Sequence, residues 1–335
     1  MNETAFTELE EIIERDYKNI AGMQISYDGA VIYEKYWNGC NVDKRIHIYS
    51  VTKSIVSALI GIAIDKGYIT DVQQKVLEFF PEYMPKRGEK TIQNITLENL
   101  LTMTAPYKYR FFAPYIKYFT SEDWVEFSLD LLGGKGNIGK FRYVPLIGLD
   151  ILTGILTKAT KRSVSEFAAE YLFSPLKIDT PPNIFFHSKE EQVAFNKEKY
   201  VDGWVVDPMG VNTAGWGLAL SASEMLKIGL LYLNHGVWEN KQIVSAGWIT
   251  ESIKEHSRWA ARKLSYGYLW WLGDDGGYAA MGDGGNIIYV NPNRKLVVSI
   301  ASNFVRRPKD RIELIKKHIE PIMEIKEPDA KTQSR

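Results

Sequence analysis

The sequence holds a single cysteine, Cys40, which excludes an internal disulfide framework and a cysteine metal cluster. Its five histidines (His47, His187, His235, His256, His318) are scattered, without metal-ligand spacing. Net charge is missing too. Forty-one basic and 41 acidic residues cancel, leaving no bulk electrostatic case for nucleic acid or an anionic membrane as partner. The longest apolar run, residues 55–64, is too short to span a bilayer. Residues 1–17 are acidic and helix-like, and lack the basic start and apolar stretch of a signal peptide. There is no Gly-x-Ser-x-Gly elbow and no His-Glu-x-x-His pair. These absences predict a soluble cytoplasmic protein with no metal and no organic cofactor.

What is present is a chain of 335 residues, 45% hydrophobic and 13% aromatic, enough for a large core. Residues 6–19 predict an amphipathic helix. Residues 23–27 and 30–37 predict two strands joined by Asp28-Gly29, a strong hairpin signal. A helix follows from Ser50 to about Lys66-Gly67. Residues 68–210 are mostly helical and loop-rich, with a capped start at residues 95–101, a helical pattern over 146–157 and a helix over 164–173. Residues 221–233 predict another helix, and Glu224 stands three residues after Ser221 as a capping box requires. Strand patterns then cover residues 266–272, 278–281, 286–290 and 296–301, and residues 311–323 form a closing helix. Strands at both chain ends with helices between them predict an α/β (α+β) fold. One antiparallel sheet would be formed from both chain ends and flanked by helices, with a mostly helical inserted domain. The expected division is 1–67 plus 214–325 for the discontinuous sheet domain, 68–213 for the helical insertion and 326–335 for a flexible tail.

The sharpest chemical signal is Ser50-Val51-Thr52-Lys53, a Ser-x-x-Lys at the start of an apolar helix. The three-residue spacing puts both side chains on one helix face. A helix N-terminus has unpaired N–H groups and a positive dipole end, which suits a developing oxyanion and lowers the pKa of a nearby ammonium. A partly desolvated lysine can then take the serine proton. The simpler alternative is that Ser50 only caps the helix.

Two further pieces stand at suitable distances. Tyr143, in Phe141-Arg142-Tyr143-Val144-Pro145, either packs as an aromatic edge or relays protons near Ser50 and Lys53. Two nearby cations would pull its pKa toward neutrality. The Gly-rich segment Gly282-Asp283-Gly284-Gly285 is either a turn or a place where the backbone approaches a substrate carbonyl. In the second case the N–H groups of Asp283 and Ser50 would form an oxyanion hole, with Gly284 the alternative donor.

These pieces resemble the serine β-lactamase and penicillin-binding-protein-like superfamily, in its class C-like branch with family VIII-type esterases and 6-aminohexanoate-dimer hydrolases. The resemblance also rests on Ile95-Thr96-Leu97-Glu98-Asn99-Leu100-Leu101, Gly215-Trp216-Gly217-Leu218-Ala219-Leu220-Ser221 and Tyr266-Gly267-Tyr268-Leu269-Trp270-Trp271, in order over about residues 15–305. It implies Ser50 as acylated nucleophile, Lys53 as its base, Tyr143 as general acid/base, and oxyanion N–H groups from Ser50 and Asp283.

The pattern departs from the family in two places. The second motif reads Tyr143-Val144-Pro145, without the polar residue that helps hold a substrate amide. The third reads Ala280-Met281-Gly282, without the cation that grips a substrate carboxylate in β-lactamases and peptidases. A charge-assisted contact of that kind is worth about 1.5–3 kcal/mol. The aromatics Trp204, Trp216, Tyr268, Trp270 and Trp271 either line an apolar pocket or pack structurally. Gly134-Lys135-Gly136-Asn137-Ile138-Gly139 matches a nucleotide-binding pattern but lacks the strand before it and the helix after it, so it predicts a loop. His47 is expected to be structural.

The expected function is a serine hydrolase cleaving small-molecule esters or small amides through an acyl-enzyme on Ser50. Two alternatives are a β-lactamase or D-amino-peptide hydrolase, and a non-catalytic β-lactamase-like binding module.

Overall fold

The computed structural model describes residues 3–109, 114–195 and 197–324. The tail expected over 326–335 lies outside them, as do residues 110–113 of the loop-rich region.

Eight strands form one antiparallel sheet. In chain order they are β1 (Ile20–Tyr27), β2 (Ala30–Tyr36), β3 (Ser257–Trp259), β4 (Leu264–Tyr266), β5 (Trp271–Leu272), β6 (Tyr278–Gly282), β7 (Asn286–Asn291) and β8 (Leu296–Ser302). Their spatial order is β2-β1-β8-β7-β6-β5-β4-β3, so β1 from the first end of the chain pairs with β8 from the other. The β1–β2 hairpin turns at Asp28 (φ 50°) and Gly29 (φ 83°), the left-handed pair that suits the strand twist.

Alternation along the strands separates two apolar layers. On β7 and β8, Ile287, Tyr289, Leu296, Val298 and Ile300 face α1 (Glu3–Asp16) and the C-terminal helical segment. There Leu9 and Ile13 meet Leu314, Ile315 and Ile319. Ile288, Val290, Val297 and Ala301 face the opposite layer, which holds α2 (Val51–Asp65) and α3 (Leu97–Leu101). It also holds α4 (Asp150–Thr160) and α5 (Ala222–Leu233). The larger core lies on this side. Residues 51–63 of α2 are all buried, which explains why the helix is mostly apolar from residue 55 onward with no polar face.

Three local expectations are corrected. Residues 266–272 are two strands rather than one. Leu269 takes φ 64°, its carbonyl accepts from Ser54 Oγ at 2.6 Å and its N–H donates to Leu101 O at 3.0 Å, so residues 267–269 fold inward between β4 and β5. The helix expected from residue 146 begins at Asp150, because Gly148 takes φ 115° with the Tyr107 ring packed against it. β3 gave no recognisable pattern; it is three residues long and half exposed.

Candidate active site

Residues 46–50 bring the chain from the sheet side into α2. Ile46 and His47 pair with Leu220 and Ala219 just before α5. Arg45 ties the same two segments together: its Nε donates to Glu224 at 2.9 Å and its Nη1 to Asp202 at 2.6 Å. Tyr49 then takes φ 49°, an uncommon conformation for a bulky residue, held by its ring against His47 (centroids 3.8 Å apart) and Phe304 (5.4 Å). Its carbonyl accepts from Thr52 Oγ1 at 2.6 Å. This turn leaves Ser50 partly exposed at the N-cap of a helix whose next thirteen residues are buried. Ser50 makes no side-chain capping bond, so the bare N-cap alternative is not what its hydroxyl does.

That hydroxyl faces Lys53. Nζ lies 2.6 Å from Ser50 Oγ and 2.8 Å from each of the carbonyls of Pro145 and Gly215. Burial pushes the lysine down to about 7, with the Asp283 and Asp150 charges pulling the other way. The three contacts suit both protonation states. An ammonium donates to all three oxygens; a neutral amine donates to the two carbonyls and offers its lone pair to the Ser50 hydroxyl proton.

Tyr143 completes the group. Its ring centroid is 5.4 Å from Lys53 Nζ, and its hydroxyl is near enough to Ser50 for that side chain to favour its ionised form. The expected fall in its pKa is corrected: burial pushes the phenol up to about 12, and the Ser50 side chain only partly opposes this. The second cation did not materialise, and the one that did is itself drained of charge by burial. Tyr143 therefore stays protonated at neutral pH. Trp271 (5.4 Å) and Trp259 (6.4 Å) wall its ring.

Across from Ser50 stands the end of β6. A β-carbon on Gly282 would sit 2.2 Å from Ile48 O and 3.2 Å from Ser50 N, so only glycine permits this approach. Asp283 follows, exposed, with Gly284 at φ 77°. Neither the Ser50 nor the Asp283 N–H is used in a turn, loop or cap bond among the described residues. Asn286 Nδ2 holds Asp283 O at 2.8 Å, and Asn19 Nδ2 holds Gly284 O at 2.6 Å. Asn19 is oriented in turn by Arg311, whose Nη2 donates to its Oδ1 at 2.7 Å. Gly285 leaves room for that guanidinium, since a β-carbon there would meet Arg311 Nε at 2.8 Å.

The structure thus gathers Ser50, Lys53, Tyr143, Gly282, Asp283 and Gly284 in one place. It adds Asp150, which sequence reading missed. This buried carboxyl accepts from Tyr118 Oη (2.7 Å) and Ala214 N (3.0 Å), beside the Gly215 carbonyl that holds Lys53. Burial raises it to about 7. His47 is buried and pushed down to about 3, and its Nε2 accepts from Gly217 N at 2.8 Å; it supports Tyr49 as a neutral ring. Of the aromatics weighed as pocket walls, Trp204, Tyr268 and Trp270 are core residues, Trp216 packs between His47 and Trp124, and Trp271 alone reaches the site. A cavity of about 390 Å³ lies beside Tyr115, Phe119 and Trp124 and does not include Ser50. Residues 134–139 form a loop, with Gly134 and Gly139 both at positive φ. Among the described residues no three His, Cys, Asp or Glu side chains are grouped to hold a metal, and no helix is long and apolar enough to cross a membrane.

The Beta-lactamase family model matches residues 9–319. A 6-aminohexanoate-dimer hydrolase from Paenarthrobacter ureafaciens is 24% identical over 295 residues, covering 80% of this chain and 68% of that protein. A family VIII carboxylesterase structure superposes with a TM-score of 0.68 at 15% identity, over 94% of this chain and 96% of the other. EstCE1, a hydrolase with promiscuous acyltransferase activity, superposes with a TM-score of 0.72 at 14% identity, over 96% and 97%.

Proposed function

This chain belongs to the beta-lactamase family, and from that premise we propose that it is a serine hydrolase cleaving esters or small amides through an acyl-enzyme on Ser50. The observation that carries the reading is the 2.6 Å contact between Ser50 Oγ and a buried Lys53 amine whose pKa lies near neutrality.

In this reading Ser50 Oγ attacks the substrate carbonyl carbon, and its proton passes to Lys53 Nζ. The carbonyl π pair moves onto oxygen, between the N–H groups of Ser50 and Asp283. Tyr143, protonated throughout the neutral range, hands its proton to the departing oxygen or nitrogen and is reprotonated from Lys53. Water then repeats the sequence on the acyl-enzyme, giving its proton to the same relay and releasing the acid. The relative that hydrolyses a 6-aminohexanoate dimer and the carboxylesterase neighbour support an amide or ester as the bond cleaved.

The β-lactamase and D-amino-peptide alternative receives less support. The third motif carries no cation, and the exposed residue beside the nucleophile is the acid Asp283. Both features work against a substrate carboxylate.

Hydrolysis of p-nitrophenyl butyrate by the wild type and Ser50→Ala tests the proposal. Turnover by the wild type that falls by a factor of about 10³ or more in the variant supports it. Equal turnover by both contradicts it.

A further inference from the structure

We propose that Asp283, with the rings of Tyr49 and Phe304, forms a subsite for a positively charged group on the substrate, an ammonium carried near the scissile bond. The inference rests on the serine-hydrolase reading and deepens it by naming a substrate class.

The geometry comes from β6. Gly282 lies against Ile48 and Ser50 so closely that no side chain fits between them. The backbone of the next residue is therefore held beside the nucleophile, and that residue is an exposed aspartate. Its backbone is fixed, because Asn286 holds its carbonyl and Asn19 holds that of Gly284. Among the described residues its carboxylate forms no ion pair and no hydrogen bond; Arg306 and Arg307, just past Phe304, do not pair with it.

Its charge nonetheless reaches the groups around Ser50. It favours the ammonium form of Lys53 and pushes up the phenols of Tyr49, Tyr115 and Tyr143. The backbone on either side of it is placed by contact: a β-carbon on Gly282 would sit 3.2 Å from Ser50 N, and one on Gly284 would meet Phe304 Cα at 3.1 Å, so Asp283 lies between Ser50 and Phe304. An unpaired carboxylate there opposes build-up of negative charge on a reacting carbonyl. A cation on the substrate reverses that effect and is drawn to the same spot. The aromatic lining strengthens the case. Tyr49 and Phe304 have centroids 5.4 Å apart, and Phe304 is 53% exposed, so aromatic surface beside Asp283 is accessible to an ammonium.

The test separates binding from turnover. Binding of hexylammonium, hexanol and hexanoate is measured by titration calorimetry on Ser50→Ala and on Ser50→Ala with Asp283→Asn. The proposal expects hexylammonium to bind the single variant about tenfold more tightly than hexanol, with hexanoate weakest, and the margin to shrink with added salt. Asp283→Asn should remove the margin, and Asp283→Lys should favour hexanoate. Equal affinity for the three compounds, or a preference that survives Asp283→Asn, overturns it. In parallel, p-nitrophenyl hexanoate is offered to the wild type. No Ser50-dependent turnover of that neutral ester would count against the hydrolase reading, whichever way the calorimetry falls.

Discussion

Lys53 Nζ sits 2.6 Å from Ser50 Oγ with its other two donor positions taken by the carbonyls of Pro145 and Gly215. These carbonyls come from segments 92 and 162 residues away in sequence, so the amine is fixed by the fold rather than by its own helix alone. It cannot swing away from the serine without leaving two carbonyls unpaired. Lys53→Met is therefore expected to lower kcat/KM for a p-nitrophenyl ester by about 10³-fold or more. Equal rates in wild type and variant would remove Lys53 from the mechanism.

The pH dependence follows from the same residue. In the proposed mechanism neutral Lys53 is the base, and burial lowers its pKa to about 7. The kcat/KM of a neutral ester should rise with pH through about 7 with unit slope. Asp150 favours the ammonium form, so Asp150→Asn should move that limb to lower pH. A limb that stays put in the variant would contradict the assigned coupling.

Stability should carry the complementary signature. The folded-state pKa of Lys53 lies below its ordinary 10.5, so its contribution is fully present above 10.5 and is lost as pH falls toward 7. Asp150 is shifted up from 3.8 to about 7, so its contribution is full below 3.8 and is lost as pH rises through 7. Thermal melts of Lys53→Met should rise less between pH 7 and 9 than those of the wild type. Those of Asp150→Asn should fall less between pH 4.5 and 7.

Tyr143→Phe should discriminate between leaving groups. The phenol is protonated at neutral pH and in the proposed mechanism serves the departing atom; p-nitrophenolate leaves without help while an amine does not. The variant should lose about 10²-fold or more on an anilide and much less on the matching p-nitrophenyl ester. Equal losses on both would assign Tyr143 to the attack step instead.

Gly282→Ala tests the close approach of β6 to the nucleophile. The added methyl would meet Ile48 O at 2.2 Å, and β6 must move away from Ser50. A loss of about 1–3 kcal/mol in stability is expected, with a fall in kcat/KM of about 10²-fold from the displaced oxyanion donor. Unchanged kinetics would show that the oxyanion does not sit there.

Much of this arrangement could be read locally. The Asp28-Gly29 turn announces its hairpin, the apolar run over residues 55–64 announces α2, and Ser50 and Lys53 share a helix face by spacing alone. The strand ends near Trp271 and the helix start at Asp150 could not be placed, because Leu269 and Gly148 owe their left-handed conformations to distant partners, Ser54 and Tyr107. The support behind the end of β6 was equally hidden: Asn19 and Arg311 meet across 292 residues. The rise in the Tyr143 pKa was missed for a similar reason. The functional reading of the motif put two cations near the ring, whereas burial, which a sequence motif does not reveal, decides its charge.

The central claim is that Ser50 is an activated nucleophile. Intact-protein mass spectrometry after exposure to a fluorophosphonate reads it most directly. One adduct on the wild type that vanishes in Ser50→Ala and is strongly reduced in Lys53→Met is the result this account predicts. No adduct on folded wild type, or an adduct that persists in Ser50→Ala, would contradict it.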